Sequence, residues 1–145
     1  MLYATDELRR MEHGDITQLA ATALHSKTGR VRICLHPSPE AELHEMLIAL
    51  RRGDKYPPHL HLRSETSYYM CRGEMTLYLL NDEGKVTDTL PLAANPAGGS
   101  LVYARVPERV YRCIRVESEV CVFMETRLGP FVPGHNVIAP FQLPE

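Results

Sequence analysis

The sequence predicts a mainly β fold, an antiparallel sandwich or barrel, with a short helical segment in front of it. From Arg30 onward, short runs rich in Val, Ile, Leu and Tyr alternate with tight polar turns, the signature of many short paired strands. Before that point a single window carries helical spacing instead. The chain has 145 residues, 44% of them hydrophobic. That length suits one domain, burying roughly 68–70% of the surface its unfolded chain would expose.

The helix is read in DITQLAATALHSKTG. Ile16, Leu19, Ala20, Ala23 and Leu24 fall at the i, i+3, i+4, i+7, i+8 positions of one face. Asp15 at the start, Gln18 three residues on and Gly29 past the end supply cap signals. A shorter helix is expected from about Thr5 to Met11. The strand runs that follow are 30–36, 44–50, 67–72, 75–81, 86–92, 100–106, 110–116 and 119–127, separated by PSPE, RRGDKYPP, RG, DEG, NPAGG and PE. The run EAELHEMLIALRR also favours helix by propensity; it is read as a strand because a Gly turn follows it. The tail GPFVPGHNVIAPFQLPE carries four of the eleven prolines and is expected to lie extended over the surface.

Net charge is −2, and Lys and Arg are scattered with no run longer than two, so neither nucleic acid nor an anionic membrane is an expected partner. The first residues, MLYATDELRRMEHGD, place charges where a signal peptide has an apolar core, and no apolar run approaches the ~20 residues of a membrane span. The expectation is a cytoplasmic protein. Cys34, Cys71, Cys113 and Cys121 sit singly in apolar runs and read as small buried hydrophobes. The alternative, Cys34 with His36 as an i, i+2 ligand pair, is weakened by Pro37, which ends that strand.

The chemistry concentrates in YPPHLHLRSETSYYMCRGE, residues 56–74. His59 and His61 are two apart, so on a strand they share a face with Cα atoms about 6.6 Å apart, close enough for one ion. Neutral imidazole suits Zn, Fe, Ni or Cu, and an added carboxylate widens the choice to Mn. The bland reading is two strand-end histidines bonded to neighbours. His44 is either a third inward imidazole or packed between protomers, His36 a turn residue, and Tyr68, Tyr69 and Tyr111 either pocket lining or sheet packing. Asn81 to Gly84 reads as a hairpin turn, not a calcium loop.

Gly53, His59, His61, Glu65 and Gly73 follow the order of the first cupin motif. The chain resembles the WbuC family of cupin-fold metalloproteins, through RICLHPSPEAELHEMLIAL, YPPHLH, RGEMTLYLLNDEGKV, VPERVYRCI and FMETRLGPFVPG. The resemblance implies a cupin double-stranded β-helix, a jelly-roll barrel of the RmlC-like kind spanning residues 30–134. Residues 1–29 form the helical segment and 135–145 the tail. It further implies a homodimer and a divalent transition metal (Zn, Fe, Mn or Ni) on His59, His61 and Glu65.

The departures from the motif carry as much information as the match. Counted back from Gly73, the motif's acid falls on Thr66, and Glu65 lies one residue early. A one-residue slip in a strand turns a side chain to the other face unless a bulge absorbs it. In the second motif Tyr111 stands where a tryptophan is expected and Arg112 where a histidine is expected. A guanidinium has no lone pair to give and stays protonated. Arg112, with Tyr111 and Thr66, is therefore read as holding a small anionic ligand, unless Arg112 turns out to a surface acid such as Glu108 or Glu117. Three functions stay open: a cupin with a degenerate metal site acting on a sugar or other oxygen-rich anion, a metal-free sugar-epimerase-like cupin, and an inactive anion-binding or dimerising module.

Overall fold

The computed structural model describes residues 2–3, 8–98 and 101–144 of the chain. Two antiparallel sheets face each other across one core. The first contains β1 (Leu2–Tyr3), β2 (Arg30–Cys34), β3 (Leu43–Arg51), β10 (Val120–Leu128), β5 (Thr66–Arg72) and β8 (Tyr103–Val106), in that spatial order. The second runs β11 (Asn136–Ile138), β4 (His59–His61), β9 (Tyr111–Val116), β6 (Glu74–Leu80) and β7 (Val86–Ala93). Among the described strands, the short β1 pairs in parallel with β2. The arrangement is the jelly-roll barrel that the resemblance implied.

Helix α1 spans His13–His25 and lies on the outer face of the first sheet, where Leu19, Ala20 and Ala23 bury against Leu47, Ala49, Val120 and Val122. It starts two residues before Asp15. Glu12 is the N-cap, and Asp15 Oδ2 accepts the Glu12 backbone N–H at 2.7 Å. It ends at Ser26, ahead of Gly29. The expected helix from Thr5 to Met11 falls partly on residues 4–7, outside the described residues, and residues 8–11 are not helical.

Strand β3 is the one whose sequence also reads as helix. It is flanked by β2 and β10, covered by α1 on one face and by the core on the other, so both faces carry apolar residues and period-2 alternation is lost. Tertiary pairing overrides its propensity. The tail does more than cross the surface: β11 pairs with β4 and extends the second sheet, so a boundary at 135 cuts through the barrel.

Register sorts the barrel interior into rows. His44, Arg127 and Thr66 are partners across β3, β10 and β5; next along come Met46, Glu125 and Tyr68, then Ile48, Phe123 and Met70. On the facing sheet His59 pairs with Arg112 and Arg112 with Leu79, followed by Ile114 with Leu77 and Val116 with Met75. The interior is polar at one end and apolar at the other. The apolar end is the core, with Leu77, Cys121, Ile48 and Phe123 all nearly inaccessible.

Gly73 joins β5 to β6 at φ +74°, and a β-carbon there would lie 2.5 Å from both the Val120 carbonyl oxygen and Ser118 Oγ. Both the left-handed backbone and the contact require glycine. Gly73→Ala is expected to destabilise the fold by about 2 kcal/mol, measured by urea unfolding.

Candidate functional site

The polar end of the interior brings together residues from four strands. His59 and His61 alternate with the buried Leu60 on β4, so both imidazoles face inward, ring centroids 5.2 Å apart and nearly perpendicular. Arg112, opposite His59 on β9, has no accessible surface. Its Nε donates to the Val110 carbonyl at 3.1 Å, Nη2 to the Pro107 carbonyl at 3.3 Å and Nη1 to the Tyr68 hydroxyl at 3.5 Å. The turn that supplies those carbonyls is tied to the histidine strand, because the Arg109 N–H donates to the His61 carbonyl at 2.8 Å. Arg109 holds φ +64°, a left-handed conformation costly for a residue with a side chain.

Arg127 approaches from the facing sheet, with Nη1 3.3 Å from His61 Nδ1. A guanidinium only donates, so Nδ1 accepts and the proton of neutral His61 sits on Nε2. That Nε2 is buried without a hydrogen-bond partner, and so are Thr66 Oγ1 and Arg127 Nε. Thr66 and Arg127 are direct cross-strand partners. Three donor-capable atoms with nothing to bond thus belong to three neighbouring side chains at one end of the barrel.

The electrostatics follow from two guanidiniums in a poorly solvated space. Burial first, then Arg112, pushes His59 down to about 4. Burial, then Arg127 and Arg112, pushes His61 down to about 2. Burial lifts the Tyr68 phenol to about 12. Among the described residues, neither Arg112 nor Arg127 lies within ion-pair distance of a carboxylate.

Two expected site residues stand elsewhere. Glu65 precedes β5 and is exposed, its carboxylate 3.8 Å from Arg105 Nε; the fully buried Thr66 takes the inward position, as the one-residue offset dictates. Tyr111 adjoins Arg112 on β9 and so faces the other side of the sheet, its ring 5.1 Å from that of Phe141. Tyr69 is likewise outward and exposed, while Tyr68 is buried inside. His36 is no simple turn residue: it is buried and stacked on His44 with centroids 4.0 Å apart. His44 Nε2 in turn lies 3.1 Å from the Pro39 carbonyl. Arg127 was not anticipated. The signal was present, since Cys121, Phe123, Glu125 and Arg127 alternate on one face of a strand whose Phe123 is plainly core.

Residues 11–92, more than half of the chain, match the family described as a domain of unknown function, DUF6016. The chain belongs to the DUF6016 family. No curated protein matches it. Among solved structures it is similar to KdgF from Halomonas sp., at 15% identity and a TM-score of 0.54, covering 72% of this chain and 81% of that one. A protein from Shewanella oneidensis matches at 20% identity and TM-score 0.56, over 72% of this chain and 65% of that one. The oxalate decarboxylase of Bacillus subtilis, a protein with Mn(II) centres, matches at 15% identity and TM-score 0.53; the match takes in 67% of this chain but only 24% of the decarboxylase. At such identities the likeness shows the fold, and this DUF6016 chain has the cupin fold.

A divalent metal does not fit the donors of the DUF6016 barrel. Among the described residues no three His, Cys, Asp or Glu side chains converge. Glu65 is outside, the one imidazole lone pair of His61 faces a guanidinium, and two fixed positive charges oppose a cation.

The depressed histidines make stability depend on pH. Unfolded, both titrate near 6.5; folded, they stay neutral down to about 4 and about 2. Below pH 6.5 the unfolded chain binds more protons, so stability is full above 6.5 and falls as the pH drops, by up to roughly 1.4 kcal/mol per pH unit for each histidine. Urea unfolding between pH 7 and pH 4 is expected to show this slope, and His59→Gln/His61→Gln a shallower one.

Proposed function

We propose that this chain is a small-molecule-binding cupin of the WbuC type whose barrel has given up the metal for a small anion such as a carboxylate or phosphate. The observation that carries this reading is the trio of unpartnered buried donors, His61 Nε2, Thr66 Oγ1 and Arg127 Nε, beside a second guanidinium, Arg112, with no carboxylate within ion-pair distance among the described residues. An anion there would satisfy all three donors and offset both charges, which a cation could not do. Three orphaned donors and two unpaired cations otherwise leave a sizeable desolvation cost without return.

Binding is favoured over turnover by the same groups. A histidine held near pKa 4 or 2 is a weak general base at neutral pH, and a phenol near 12 a weak general acid. That weighs against the metal-free epimerase reading. On this reading the protein is cytoplasmic, its four free cysteines suiting a reducing compartment. It is homodimeric, using exposed apolar residues such as Leu128, Phe131 and Val132. None of the described helices is long and apolar enough to cross a membrane.

A thermal-shift screen with phosphate, sulfate and small dicarboxylates tests the pocket. An anion at a hundred times its Kd stabilises by roughly 2.7 kcal/mol, and that shift is expected to vanish in both Arg112→Gln and Arg127→Gln, each checked for folding by circular dichroism. A shift that survives both substitutions sinks the reading. Metal analysis of protein purified without chelator or polyhistidine tag is expected to give far less than one transition-metal equivalent, and a full equivalent lost in His59→Ala would restore the metal site.

A further inference from the structure

The anion pocket has a larger neighbour. Beside β2 lies a cavity of about 1190 Å³, whose lining includes Arg30, Arg32, His36, His44, Arg127 and Asn136. Asp15 is the one carboxylate among its described lining residues, and it is engaged with the Glu12 backbone N–H. Arg30 and Arg32 belong to no ion pair among the described residues, and the one hydrogen bond of the Arg32 guanidinium is a 3.8 Å contact to Met46 sulfur. The space is of the size that takes a drug-sized ligand, far more than a lone phosphate fills.

Arg127, Phe131 and Asn136 are shared walls. They line this cavity and also a small one of about 110 Å³ that includes His61. Arg32 pairs with Ile48 and Ile48 with Phe123, which lies four residues from Arg127 on β10. Four residues along and two strands across put the Arg32 and Arg127 Cα atoms roughly 16 Å apart, a gap that two inward-reaching arginine side chains shorten.

We propose, building on the anion-pocket reading above, that the ligand is an elongated bis-anion: one anionic end at His61 and Arg127, the other held by Arg30 and Arg32 on β2. Arg30 and Arg32 alternate with Val31 and so share one face of the strand, and both line the cavity, as two-point recognition of a phosphate or carboxylate requires. Tethering the second anionic group to the first makes its binding intramolecular, which raises affinity without any new contact at the first site.

Calorimetric titration with octyl phosphate and octanediol bisphosphate tests this. The bisphosphate is expected to bind wild-type protein about tenfold tighter or more, with the advantage shrinking as salt is raised. Arg30→Gln/Arg32→Gln is expected to remove the advantage while leaving octyl phosphate affinity unchanged. Arg30 is exposed and Arg32 half-buried on β2, so the fold tolerates the change; Arg32→Glu is the second variant and weakens the bisphosphate further. Equal affinities in wild type, or an advantage that survives the double substitution, overturns the two-ended ligand while the barrel pocket stands on octyl phosphate binding. Failure of both ligands to bind overturns both.

Discussion

The guanidinium of Arg112 sits with no accessible surface inside a barrel, a placement that costs several kcal/mol unless its N–H groups find partners. Much of the local architecture answers that demand. The turn before β9 curls so that the Pro107 and Val110 carbonyls accept from it, and Arg109 takes a left-handed conformation in that turn. The same turn is fastened to β4 through the His61 carbonyl, so the strand bearing the histidines is positioned by the loop that feeds the arginine. With carbonyls and a phenol as partners, the hydrogen bonds are met and the charge is not. Burial first, and then that residual positive charge joined by Arg127 on the facing sheet, hold both imidazoles neutral.

On the proposed reading, loss of metal ligands and gain of anion donors are one change seen from two sides. Where the cupin motif has an acid this chain has Thr66, a hydroxyl that donates as readily as it accepts. Where the motif has a further histidine it has Arg112, which only donates. His61 is left, and the Arg127 contact turns it from a ligand into a donor by fixing its tautomer. Each substitution moves the same cavity from electron-pair donation toward hydrogen-bond donation.

Much of this was legible in the sequence. The inward histidine pair followed from i, i+2 spacing, and the one-residue count to Gly73 set Glu65 against the inward position, although Glu65 was still placed among the metal ligands. What stayed hidden depends on partners distant in the chain. Arg127 acts through its apposition to Thr66 and its reach to His61, and pairing across strands is not written in local periodicity. Tyr111 was misjudged because the neighbour of an inward residue faces out. The three residues of β11 lie between prolines and become a strand only because β4 offers an edge. His36 took its buried place from the stack with His44, a contact between residues whose shared row only the β2–β3 register reveals.

The lengthwise division of the interior bears on how such a chain changes over time. Residues that set the folding core, Ile48, Phe123, Met70, Leu77 and Met75, occupy rows separate from Thr66, Arg127, His59 and Arg112. Substitutions in the polar rows alter what the barrel accepts with little loss of apolar packing, because each row contacts the core only along one border. A lineage can therefore change the chemistry at this end while the scaffold keeps folding.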